Sequence, residues 1–408
     1  MNVHLKSPLP SLVYLPPPVA ATPSDASTRA RLDSIDLLRG LVMVIMALDH
    51  TRDFFGSSGM NPRDVADPAL FLTRWITHFC APIFILLSGV SAYLYGQRGR
   101  STAALSRFLF TRGFWLMVLE FTIVRLGWTF NLGLDHFVTQ VIWVIGASMV
   151  VLAGLVWLPR AAIGAIGLVM IAGHNLLDGI NAADFGSASW IWTFLHQPAL
   201  LKLSQHSSLY ALYPLIPWVG VMAAGYALGP WFSLDANERR RHFLTLGLLL
   251  TAAFVALRLS NFYGDPAPWI VHENMPATVL SMLNVEKYPP SLLYLMMTLG
   301  PGLMLLGLFE HARGRLASWV TTFGRVPMLY YVAHIFLIHA LAVAYAWMVF
   351  GDASFLFGGL PSDKPAGFGL ALPWVYGVWL VVIVTLYPLC RWFADVKRRR
   401  SDWWLSYL

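Results

Sequence analysis

The feature that most restricts this chain is its repeated return to apolar runs of about 20 residues, the length a helix needs to cross the roughly 30 Å hydrocarbon core of a bilayer. Ten such segments occur, near 35–55, 70–95, 105–126, 137–157, 160–176, 210–232, 242–260, 288–310, 327–350 and 371–391. The alternation of a membrane β-barrel is absent from them. The chain is 57% hydrophobic and 12% charged, against about 45–50% apolar and 25% charged in soluble domains. A soluble enzyme could not hide that much apolar surface. Two cysteines exclude a disulfide scaffold and a cysteine-rich zinc site. The expected fold is all-α: a polytopic integral membrane helical bundle of about ten transmembrane helices.

Residues 1–33 read as a disordered cytoplasmic tail, because Pro16-Pro17-Pro18 and Pro23 oppose a helix. Residues 34–393 form the transmembrane domain, and 394–408 a basic cytoplasmic tail. Orientation follows from Lys and Arg. With the N-terminus inside, 19 of the 28 basic residues fall in cytoplasmic segments and eight outside, with Arg39 inside the first span. The inner set includes Arg98, Arg100, Arg107 and Arg112, then Arg239-Arg240-Arg241, Arg313, Arg315 and Arg325, and Lys397 to Arg400. Both termini are therefore expected in the cytoplasm, in a multi-pass protein of the cell membrane. The net charge of +7 is a topology signal; no basic surface domain exists to bind nucleic acid. Cys80 and Cys390 lie at opposite faces and should not pair. The longest outer loops, near 176–209 and 261–287, carry Trp190, Trp192, His196, Trp269 and His272, either as interface anchors or as walls of an acceptor site.

Ionisable residues at membrane depth are costly and usually functional. Arg39 and His50 are 11 residues apart on the first span. That is three turns, so they share a face about 16 Å apart along the axis. His78 in span two and Glu120 in span three are expected at the depth of His50. Asp49 points about 100° from His50 and either orients a neighbouring histidine or pairs with Arg52 or Arg74. Span nine supplies Tyr330, Tyr331, His334 and His339, with His334 expected nearer the depth of Arg39. His334 and His339 are five residues apart and form no i,i+4 metal pair. His50, Asp53 and His78 have no metal-ligand spacing either, and no metal is expected. The plainer alternatives are that each histidine is a structural hydrogen-bond partner and that Glu120 pairs with Arg39 or Arg125.

The Arg39-Gly40 pair followed by His50 resembles the Arg-x10-His element of the membrane acyltransferase type 3 family. The wider block Arg31-Leu32-Asp33-Ser34-Ile35-Asp36-Leu37-Leu38-Arg39-Gly40 looks more like the heparan-α-glucosaminide N-acetyltransferase family, particularly its bacterial branch. The segments Leu48 to Asp53, His78 to Pro82, Tyr213 to Trp218, Lys287 to Ser291, and Gly324 to Pro327 leading to His334 fit the same branch. The resemblance implies a transmembrane acetyltransferase that takes an acetyl group from cytoplasmic acetyl-CoA, its co-substrate, and passes it to an amino sugar or hydroxyl of a glycan on the far side. In the heparan enzymes the histidine thought to be catalytic follows the first span; here residues 51–77 hold no histidine, so the role falls on His50 or His78.

On this reading His50 is the general base and Glu120 or Asp49 fixes its tautomer. His78 stabilises the oxyanion or serves as the alternative base, and an acyl-histidine route is compatible. Arg39 and Arg325, with His334, lie at the donor, since Arg suits phosphate. The competing classes are a proton-coupled transporter, for which no internal repeat is found, and a non-catalytic membrane component of a biosynthetic complex. Oligomeric state stays open, a homo-oligomer included.

Overall fold

The structure is a computed structural model that describes residues 23–358, 364–400, 402 and 405, with side chains from Asp33 onward. The first half of the chain holds α1 (Pro23–Phe55), α2 (Pro68–Thr77), α3 (Cys80–Gly96), α4 (Thr102–Leu119), α5 (Arg125–Thr129), α6 (Val141–Leu155), α7 (Arg160–Gly173) and α8 (Ser189–Leu195). It continues with α9 (Leu215–Leu228), α10 (Ala236–Ser260), α11 (Met275–Leu283), α12 (Leu292–Phe309), α13 (Arg315–Arg325), α14 (Pro327–Phe350) and α15 (Leu372–Arg399). The protein is an all-α membrane protein with one small sheet. In that sheet β1 (His136–Val138) runs parallel to β3 (Ser208–Ala211), and β2 (Ala199–Lys202) pairs antiparallel on the other side of β3.

Each of the ten apolar segments coincides with a helix, but among the described residues seven stretches are long and apolar enough to cross a membrane. The shortfall has local causes. α1 carries Arg39, Asp49, Arg52 and Asp53, α4 carries Arg107 and Arg112, and α6 has 15 residues. α1 also starts at Pro23, so residues 23–33 of the expected tail are helical. The rest of that tail lies outside the described residues, and α15 runs into the expected C-terminal tail as far as Arg399.

α1 is the hub, packed against α2, α3, α12, α13, α14 and α15. Its contact with α13 depends on two glycines. A Cβ on Gly40 would collide with the Val320 carbonyl, and one on Gly324 with the Asp36 carbonyl. Without side chains the backbones touch, and Arg39 and Arg325, each next to one of these glycines, converge on Asp36. Gly40 and Gly324 each precede by ten residues the histidine that matters below, so α1 and the α13–α14 run keep one register. On another side of α1, Ser34 Oγ donates to Glu310 at 2.9 Å, and Glu310 is ion-paired to the buried Arg239.

The second span is broken between α2 and α3. Pro82 has no N–H for the carbonyl four residues back, that of His78. The Tyr294 hydroxyl donates to that carbonyl instead, at 2.8 Å, which restores the bond that the bilayer interior demands.

Candidate active site

A cavity of about 540 Å³ follows α1 from Ile35 to Met46 and α14 from Pro327 to Tyr331. Its walls change character along the way. Arg39, Arg98, Arg100, Arg112, Arg325 and Lys397 bring six cations to it, against the single carboxylate of Asp36. Met43, Met46, Leu116, Ile142, Ile145 and Met328 line the apolar part. Arg39 is fixed by donating to Asp36 (2.9 Å), the Gly324 carbonyl (3.3 Å) and Ser91 Oγ (3.4 Å). Arg325 reaches Asp33 at 3.2 Å and keeps its side chain half exposed. Four of these cations, Arg98, Arg100, Arg112 and Lys397, are in sequence only orientation signals. Sequence gives no means of showing that they share a cavity.

One helical turn beyond Met46 stands His50, and three residues beyond Tyr331 stands His334. His50 Nδ1 and His334 Nε2 are 2.7 Å apart, and the rings are nearly parallel. His334 Nδ1 is 2.7 Å from the Tyr330 carbonyl. A carbonyl only accepts, so Nδ1 of His334 carries the proton and, in the neutral ring, Nε2 accepts. His50 Nδ1 is then the donor between the rings, and the lone pair of neutral His50 sits on Nε2. His334 is fully buried, whereas His50 keeps 8% of its surface. The Trp128 and Tyr331 rings stand edge-on to His50 at 4.9 and 6.1 Å. The Tyr331 hydroxyl and the Trp128 indole N–H lie beside each other, and among the described residues neither finds any other hydrogen-bond partner.

The expected cluster at one depth is thus only partly assembled. His334 is the partner of His50 and does not line the cavity, contrary to its expected place beside Arg39. Glu120 does not orient His50. It accepts the Trp143 N–H at 3.0 Å and so caps α6 from a neighbouring helix. It opens a π-helical turn, Glu120–Val124. Asp49 binds Arg52 at 2.6 Å and accepts from Thr77 at 3.0 Å, which decides between its two sequence alternatives. His78 packs against Tyr294 at 5.3 Å, with both ring nitrogens unpartnered. His339 lies between the Gly127 and Leu356 carbonyls, a structural position. Both cysteines are free and buried.

Together these features define a helical membrane protein with a cation-rich cavity that reaches Tyr331, whose ring touches a histidine pair lying just outside the cavity wall. The family model for the heparan-alpha-glucosaminide N-acetyltransferase catalytic domain matches residues 31–261, more than half of the chain, and the chain belongs to that family of membrane acetyltransferases. The match covers α1 to α10 and therefore Arg39 and His50; Arg325, Tyr331 and His334 come from beyond it. No curated protein matches the chain.

Proposed function

We propose that the chain transfers an acetyl group from cytoplasmic acetyl-CoA to an amino sugar or hydroxyl of a glycan on the opposite side of the cell membrane. The observation that carries this reading is the continuity of the cavity: six cations at one part, an apolar channel, and Tyr331 in ring contact with the His50–His334 pair at the other. Arg39, Arg325 and their basic neighbours would hold the phosphates of CoA, with the pantetheine arm lying along the apolar wall. All ten helical segments would cross the bilayer with both termini inside, which the 19-to-8 distribution of basic residues supports.

In this mechanism His50 Nε2 removes a proton from the acceptor amine or hydroxyl as that atom attacks the thioester carbonyl. The carbon–sulfur bond then breaks, and the thiolate of CoA leaves and takes up a proton. His334 holds the tautomer and receives charge through Nδ1 of His50. Tyr331 and Trp128, which stand beside each other against the His50 ring, carry the donors suited to the oxyanion. His78 packs against Tyr294, and this mechanism gives it no step.

The test is CoA release from acetyl-CoA by the purified protein in proteoliposomes, against a panel of amino sugars and hydroxylated glycans. Acceptor-dependent release by wild type, lost in His50→Ala at equal expression, is the expected outcome. Equal transfer by His50→Ala would remove His50 from the chemistry. Proton-coupled uptake of an unmodified solute with no CoA released would favour a transporter.

A further inference from the structure

Away from the donor cavity, α7 is followed by a 3₁₀ turn, His174–Leu177, that leads to Asp178, and the chain returns with His196 just after α8. His174 and His196 are 1% and 2% exposed. His196 Nε2 lies 3.0 Å from Asp178 Oδ1, and one ligand atom from each of the three residues lies within 4.8 Å of the others. The second oxygen of Asp178 accepts from Asn175 Nδ2 at 2.8 Å, while Asn175 Oδ1 accepts the Leu292 N–H at 2.8 Å. Neither ring nitrogen of His174, nor Nδ1 of His196, completes a hydrogen bond, although the Pro290 carbonyl lies close to His174.

A buried imidazole ordinarily satisfies at least its N–H. Here a buried ring, with the Pro290 carbonyl beside one nitrogen and the other nitrogen idle, faces a second imidazole and a carboxylate held in place from behind. The Pro290 carbonyl explains one nitrogen of His174 and leaves the other without a role, and a metal ligand set supplies that role. Two imidazoles and one carboxylate suit a borderline divalent ion. Zn²⁺ bonds of about 2.0–2.2 Å put tetrahedral ligand atoms about 3.4 Å apart, so side-chain shifts of about 1 Å would close the set. The Asp178 side chain is one-quarter exposed, which lets water take the fourth position.

We propose that His174, Asp178 and His196 bind one Zn²⁺ ion, which fastens the 174–196 segment to the start of α12 through Asn175. In sequence His196 stands in a long outer loop with nothing to link it to His174 and Asp178. The i,i+4 spacing of His174 and Asp178 was the available signal, and the 18 residues to His196 hid the third ligand.

The experiment uses the full chain purified in detergent, stripped of metal, then titrated with Zn²⁺ and separately with Co²⁺. Wild type should take up one metal per chain by elemental mass spectrometry, show the visible absorption of four-coordinate Co²⁺, and melt at higher temperature with Zn²⁺. His174→Gln should abolish the Co²⁺ band. Asn175→Ala should weaken binding about tenfold, and the exposed His206→Ala should change nothing. If His174→Gln does not fold, Asp178→Asn carries the same test from the exposed side. No stoichiometric uptake by wild type, or equal uptake by the ligand variants, would overturn the site, whatever the CoA-release assay gives.

Discussion

Replacing His334 with phenylalanine removes the acceptor that holds the His50 tautomer while filling nearly the same buried space. The native arrangement has two 2.7 Å contacts in series, from His50 Nδ1 to His334 Nε2 and from His334 Nδ1 to the Tyr330 carbonyl. Without the first, His50 is free to carry its proton on Nε2, where it is useless as a base. A positioned general base is worth about 10²–10⁴ in rate, or about 2.7–5.4 kcal/mol at about 1.36 kcal/mol per tenfold. The His50 N–H left unpaired costs about 1–3 kcal/mol in stability, a loss that a fold stable by about 5–15 kcal/mol can absorb. Because His334 does not line the donor cavity, CoA affinity should hold. Steady-state CoA release and a direct CoA titration should therefore show kcat reduced by about a hundredfold or more at constant Kd. His334→Gln, which keeps an acceptor, should recover part of the rate. If His334→Phe stays within tenfold of wild-type kcat while His50→Ala is dead, the paired-histidine reasoning is wrong. An equal fall in kcat and CoA affinity would refute it too, by showing collapse of the cavity.

Arg39→Ala should raise the Kd for CoA about 10–100-fold, the value of a charge-assisted hydrogen bond of about 1.5–3 kcal/mol, with little change in kcat; an unchanged titration would reject the phosphate role. Gly324→Val forces a side chain against the Asp36 carbonyl, so thermal unfolding in detergent should reveal a loss of about 1–3 kcal/mol, and CoA affinity should fall as Arg325 is displaced; a wild-type melting curve would contradict the backbone contact. Glu286, in the loop before α12, has its carboxyl raised by burial but more than offset by Arg63, which bonds it at 2.8 and 3.1 Å, so it stands below the usual glutamate range. A depressed carboxylate stabilises above its unfolded pKa and loses that effect as pH falls through the folded value. The melting-temperature gap between wild type and Glu286→Gln should therefore be open at neutral pH and close in acid, modestly, because Arg63 is nearly half exposed; a gap independent of pH would show that the ion pair is idle.

Much of this protein is legible along one dimension. The helical character of the apolar segments and the membrane environment follow from composition, helix period and segment length, because each helix must satisfy its own backbone in lipid. The π-helical turn at Glu120 and the break at His78 were not legible as such, although Pro82 marked the second.

The partner of His50 required three dimensions. Depth counted from the first residue of span nine puts His334 beside Arg39, but the contact of α13 with α1 at Gly40 and Gly324 sets α14 further along α1 and brings His334 to His50. From that contact, ten residues on each chain lead to one histidine of the pair. The six cations of the cavity lie on α1, the α3–α4 region, α13 and α15; sequence points to Arg39 and Arg325 as donor groups but registers for the other four only which side of the membrane each favours. Sequence determined the solvent this chain lives in and the chemistry it carries into it. Tertiary packing decided which groups meet, since helix propensity and hydropathy act along the chain and a bond between residues 284 apart depends on how two helix backbones touch.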